Sequence, residues 1–144
     1  MTAPLYNAEI LRLAASIPFH ARIERAQASV EKRSPVCGSR VTVDVDLDET
    51  GRVQAIGMLV RACALGQASA ALMSRHAVGK DAAELADARD ALTGWLAGER
   101  DGPPDWPGLE LFVPALPHRA RHPSIRLAFE AVAEAAAQAR REAA

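Results

Sequence analysis

Aromatic side chains are scarce in this 144-residue chain, at 4% of the total, so its core has to be aliphatic, built from Leu, Val, Ile and Ala. An excess of charge of either sign is missing too: the formal net charge is −1. That leaves no basic footprint of the kind a nucleic-acid or anionic-membrane partner selects. No apolar run approaches the roughly 18 residues a spanning helix needs. The start, Met1-Thr2-Ala3-Pro4-Leu5, lacks the basic segment and apolar stretch of a secretion signal. Cysteine is limited to two residues, too few for a disulfide framework. These absences lead us to expect a soluble cytoplasmic protein with reduced thiols and neither nucleic-acid nor membrane partners. The length fits a single domain over 1–144, with 1–4 and 142–144 fraying at the ends.

What is present changes period clearly along the chain. Ile10, Leu11, Leu13, Ala14 and Ile17 follow helical spacing from Asn7 to Ile17, where Pro18 closes the segment. Residues 21–32 read as a strand, since Ala26, Ala28 and Val30 alternate with Arg25, Gln27 and Ser29. Val41, Val43, Val45 and Leu47 then alternate without fault against Thr42, Asp44, Asp46 and Asp48. This predicts a strand with one wet face in an antiparallel sheet, and makes the three aspartates a solvated face rather than a cation site. Asp48-Glu49-Thr50-Gly51-Arg52 supplies a turn. Residues 53–60 return as a third strand, apolar on both faces and expected to be the more buried one.

Beyond Cys63 the pattern is helical. Leu65, Ala68, Leu72 and Met73 form one stripe that Gly79 ends. Asp81 and Glu84 have capping-box spacing for a helix whose stripe is Leu85, Ala88, Leu92, Trp95 and Leu96. Residues 99–108, with Gly102, Pro103, Pro104 and Pro107, read as a loop, and the apolar stretch 109–116 is interrupted by Pro114. A last helix spans about Pro123 to Arg141, with Pro123 suited to its first turn. The fold class expected is α+β: a three-stranded antiparallel sheet with helices packed on one face.

The two cysteines carry the chemistry. Cys37 lies in a Pro/Gly loop, Pro35-Val36-Cys37-Gly38, just before the alternating strand. Cys63 stands where the third strand runs into a small-residue helix. This order brings both thiols to one end of the sheet, where they point to soft-metal or sulfur chemistry. A helix N-terminus favours thiolate at Cys63, although a small buried hydrophobe is an equally good reading of that residue alone. His122, at the start of the last helix, is a candidate third ligand, because imidazole binds zinc and occurs in some [2Fe–2S] sites; its plain alternative is a solvated surface group. Arg119, Arg121 and Arg126 form a local basic cluster, read as solvated or as a contact for a partner or anionic sulfur donor. Gly79-Lys80 is a helix stop rather than a phosphate loop, Trp95 and Trp106 are anchors, and neither Ser39 nor Ser124 has the partners of a nucleophile. The chain is not read as an enzyme. A reversible Cys37–Cys63 disulfide is a further reading, which needs Cα atoms within about 7 Å.

Several segments together resemble the IscU/SufU/NifU-type iron–sulfur cluster assembly scaffolds. They are Leu5-Tyr6, Pro35-Val36-Cys37-Gly38, Cys63-Ala64-Leu65-Gly66-Gln67-Ala68-Ser69-Ala70, Gly79-Lys80 and Arg121-His122-Pro123-Ser124-Ile125-Arg126-Leu127-Ala128-Phe129. The resemblance runs from Leu5 to about Ala133. It implies a scaffold that binds iron, an iron–sulfur cluster or zinc through Cys37 and Cys63, and that meets a cysteine desulfurase and client proteins. It also implies an aspartate where this chain has Ser39 and a third cysteine where it has Ser124. A neutral hydroxyl is a poor ligand for soft iron or zinc, and clusters are mostly held by four thiolates. The alternative reading is a degenerate scaffold that keeps the fold and serves as a protein-interaction module.

Overall fold

A computed structural model describes residues 7–18, 20–35 and 38–143. Leu5-Tyr6 and Cys37 lie outside the described residues.

The order is α1 (Ala8–Ala15), β1 (Ala28–Arg33), β2 (Arg40–Leu47), β3 (Val53–Arg61), α2 (Ala64–Ala77), α3 (Ala82–Leu96), two 3-10 segments (Leu109–Ala115 and Arg119–Arg121) and α4 (His122–Ala143). The architecture is the α+β arrangement read from the sequence, a three-stranded antiparallel sheet in the order β1-β2-β3. Local signals start the helices where expected. The Asn7 side chain accepts the Ile10 N–H at 2.9 Å. Asp81 and Glu84 close a complete capping box at α3, satisfying N–H groups that a helix start otherwise leaves bare. Gly79 takes φ +92, and its N–H donates to the Val53 carbonyl, tying the end of α2 to the start of β3.

Alternation along the strands sorts their residues onto two faces. Ala28 and Val30, Val41, Val43 and Val45, and Ile56, Met58 and Val60 share the inner face, and all are buried. Phe129, Ile125, Val132 and the alanines of α4 belong to the same core, as do Leu65, Ala68 and Leu72 of α2. Trp106 seals one edge: its indole N–H donates to the Leu72 carbonyl at 2.9 Å, and its ring meets Phe129 edge-on.

Four sequence expectations need correction. The first strand begins at Ala28, not at residue 21. Residues 20–27 instead form a strap across the outer face of the sheet. The Ala21 carbonyl accepts the Met58 N–H at 3.1 Å, His20 Nε2 accepts the Val60 N–H at 3.2 Å, and the Ile23 N–H donates to Asp44. The aspartates are therefore not a solvated face: Asp44 is fully buried, and Asp46 accepts the Gln27 N–H. Nor is β3 the most buried strand. It is an edge, and central β2 is the more enclosed. Residues 109–115, read only as an interrupted apolar stretch, form a 3-10 helix containing Pro114, with Leu109, Phe112 and Ala115 buried.

Gly57 makes the strap possible. It lies opposite Asp44 in the β2–β3 register, and a Cβ there would stand 2.4 Å from the Ala21 carbonyl oxygen and 2.9 Å from Ile23 atoms.

Candidate functional site

Three segments converge at one end of the sheet. The β1–β2 loop leaves and re-enters the sheet at Ser34 and Ser39, which are joined by a 2.8 Å bond from the Ser34 N–H to the Ser39 carbonyl. Arg40, next along, pairs with Arg61 of β3, so the strand leading to Cys63 ends beside the same loop. α4 completes the group from the third side: the Ser124 hydroxyl lies 3.5 Å from that of Ser39, and both serines are buried.

Cys63 is the N-cap of α2, with extended backbone (φ −66, ψ 172), and its carbonyl accepts the Gln67 N–H. Its thiol is free, half-buried, and makes no capping hydrogen bond. Gly66, in the first turn of α2, lets α4 come close. A Cβ there would lie 3.2 Å from the Ser124 carbonyl oxygen and 2.7 Å from the Ala62 Cβ. The Ser69 hydroxyl fixes this approach by donating to the Ile125 carbonyl at 2.6 Å. Ser39 and Ser124, which the family resemblance puts at ligand positions, are thus brought together in space across 85 residues of chain.

His122 is buried rather than solvated. One ring nitrogen, Nε2, lies 2.9 Å from the Ala115 carbonyl oxygen. A carbonyl only accepts, so Nε2 carries the proton, and Nδ1 is the one nitrogen left to coordinate. Among the described residues no group of three His, Cys, Asp or Glu side chains is arranged to hold a metal ion. Those residues offer one thiol and two hydroxyls at the convergence, which is short of a four-thiolate cluster site.

The Asp44 site on the outer sheet face was not legible as a site at all. Its carboxylate accepts from Arg22 Nε at 2.7 Å and Nη2 at 3.0 Å, from the Ile23 N–H at 3.0 Å and from the Ser29 hydroxyl at 2.6 Å. Burial pushes this carboxyl up, but the bonds from Arg22, Ser29 and Ile23, with the Arg22 charge, outweigh it and hold it below the ordinary aspartate value. The signal available was Gly57, a glycine inside an otherwise apolar strand, which marks close approach of another backbone. Among the described residues no helix is long and apolar enough to cross a membrane.

Residues 5–97 match the NifU-like N terminal domain family. The structure is similar to that of the N-terminal part of a nitrogen-fixing NifU-like protein from Brucella abortus, at 35% identity over 95% of each chain and a TM-score of 0.88. It is also similar in fold to a candidate iron–sulfur cluster assembly scaffold protein for the SUF system from Fervidobacterium islandicum. There the identity is 20%, over 92% of this chain and 96% of that one, with a TM-score of 0.82. No curated protein matches the chain. The matched span takes in the sheet, the Cys63 turn and both central helices, and the solved relative extends the likeness through α4: this chain belongs to the NifU-like N-terminal domain family.

Proposed function

We propose that this protein is a scaffold-type carrier in iron–sulfur cluster assembly, holding iron, a cluster or zinc at the sheet end through Cys37 and Cys63. The observation that carries the reading is the convergence of the β1–β2 loop, the Cys63 turn and the first turn of α4, with Ser39 and Ser124 hydroxyls 3.5 Å apart between them. Thiolates prefer soft metals and hydroxyls do not, so the pair of cysteines supplies the soft ligands and the serines supply shape. His122 enters the ligand set only through Nδ1. Membership of the family supports a cysteine desulfurase as sulfur donor and iron–sulfur proteins as recipients, in the cytoplasm. The protein is a carrier and not a turnover enzyme.

The test is anaerobic addition of ferrous iron and sulfide to the purified protein. Visible cluster absorbance in the parent, lost in both Cys37→Ala and Cys63→Ala, is the expected result. Absence of any bound iron or zinc in the parent overturns it. A second reading, an interaction module that has set cluster binding aside, is favoured by the contact between two hydroxyls where the resemblance puts a carboxylate and a thiolate. Metal bound by the Ser39→Asp/Ser124→Cys double variant but not by the parent would select that reading.

A further inference from the structure

A cavity lies at the start of α4, with neither Ser39 nor Ser124 in its lining. Leu96 and Ala97 at the end of α3, Arg119, and His122, Pro123 and Arg126 of α4 enclose its volume of about 200 Å³. Two arginines line it, and among the described residues neither guanidinium group makes an ion pair or a hydrogen bond, although the Arg119 carbonyl accepts the His122 N–H. Arg126 Nε is buried with no partner of any kind, the one such side-chain atom among the described residues. Arg126 as a whole is half-buried, so of the two sequence readings of this cluster, solvated or in contact with an anionic partner, the buried Nε favours the second. A buried guanidinium N–H left without an acceptor carries a desolvation penalty, and such an orphan calls for a missing ion or ligand. Capping of α3 does not account for it, since Arg126 Nε donates to no carbonyl.

We infer that this cavity binds a phosphate-type dianion, gripped by Arg119 and Arg126. Two unpaired guanidinium charges match two negative charges, and planar N–H forks suit phosphate oxygens bidentately. The site sits at the first turn of the 22-residue α4, whose partial positive charge adds to the same preference. An adjoining cavity of about 330 Å³ shares Leu96, Ala97 and Arg119, and is lined further by Trp95 and Leu116. Arg100 and the Asp101 carboxylate line it as well, so beside its apolar residues this second cavity offers both charges to the organic part of a phosphorylated small molecule.

Titration calorimetry on the full chain at mildly alkaline pH, where phosphate is a dianion, tests this with inorganic phosphate and with ADP, against sodium chloride at matched ionic strength. Saturable phosphate binding is expected, with Arg119→Gln and Arg126→Gln each weakening it about tenfold or more. Arg119 lies on an exposed 3-10 turn, so its variant tests the site even if Arg126→Gln unfolds the protein. Arg121→Gln, a neighbour that does not line the cavity, should bind like the parent. ADP that binds more tightly and is displaced by phosphate points to a phosphorylated small molecule; equal affinity points to free phosphate. An equal loss in Arg121→Gln, an equal response to chloride, or no saturable binding of either probe overturns the proposal.

Discussion

Two regions of this small domain bury polar side chains, and they do so to opposite ends. In the middle of β2, Asp44 is enclosed by a strap whose bonds occupy both carboxylate oxygens. At the start of the same strand, Ser39 meets Ser124 at 3.5 Å, a long separation for a hydroxyl pair, whose usual distance is about 2.7–2.8 Å. The first region uses polarity to fix structure, because a buried carboxylate is tolerated only when its acceptor sites are filled. The second places small hydroxyls at the end of the sheet where the Cys63 turn also lies. In the first region the hydrogen bonds converge on one carboxylate; in the second the buried groups are two small hydroxyls that meet across 85 residues of chain.

The sharpest way to break the contrast is at the strap. Gly57→Val places a Cβ where the Ala21 carbonyl oxygen already stands, 2.4 Å away. Displacing that backbone should cost about 3 kcal/mol, the upper end for overpacking, and chemical denaturation of the variant measures it. A stability equal to that of the parent would mean the strap does not hold the sheet.

Asp44→Ala should cost about 2 kcal/mol, since it removes the shared acceptor and strands the Ile23 N–H. The same group sets an acid response. Its folded-state pKa lies below the ordinary value of about 3.9, so its stabilisation is full above that pH and is lost as pH falls through the lower, folded value. Denaturation followed against pH should show a loss below about pH 4 in the parent that is smaller in Asp44→Ala, where only carboxyls such as Asp48 remain held low.

The smallest effect belongs to the other region. Gly66→Ala gains about 1 kcal/mol of helix propensity, but its Cβ would crowd Ala62 at 2.7 Å and the Ser124 carbonyl oxygen at 3.2 Å. A net loss of about 1 kcal/mol is expected, with a changed rate of Cys63 alkylation as α2 shifts against α4. An unchanged alkylation rate would detach the thiol from the α2–α4 contact.

The sequence was legible wherever a local rule decides structure. The Asp81–Glu84 box, the alternation of β2 and the position of Pro123 all depend on neighbours within a turn or a strand, and each element lies where those residues put it. The strap was not legible because it has no period. Alternation assigns residues to two faces but does not say what covers each one, so Thr42 and Asp44 read as wet although both are buried. Residues 109–115 were obscure for a related reason: a 3-10 turn is too short to show a stripe, and Pro114 sits inside it. At the candidate site, the meeting of Ser39 with Ser124 followed from the family resemblance rather than from any spacing. The hydrogen bond from His122 to Ala115 depends on a turn that no pattern announces.

The tight approach of Gly66 to Ser124 has a consequence for how this protein could be rewired. Serine and cysteine have the same number of heavy atoms in the same connectivity, so a cavity wall shaped around one readily admits the other. Exchanging a single oxygen for sulfur at 124 would alter what the pocket attracts while leaving the neighbouring helices in register. If the proposed metal site exists, this one atom is the place where its preference can be changed with little disturbance to the architecture around it.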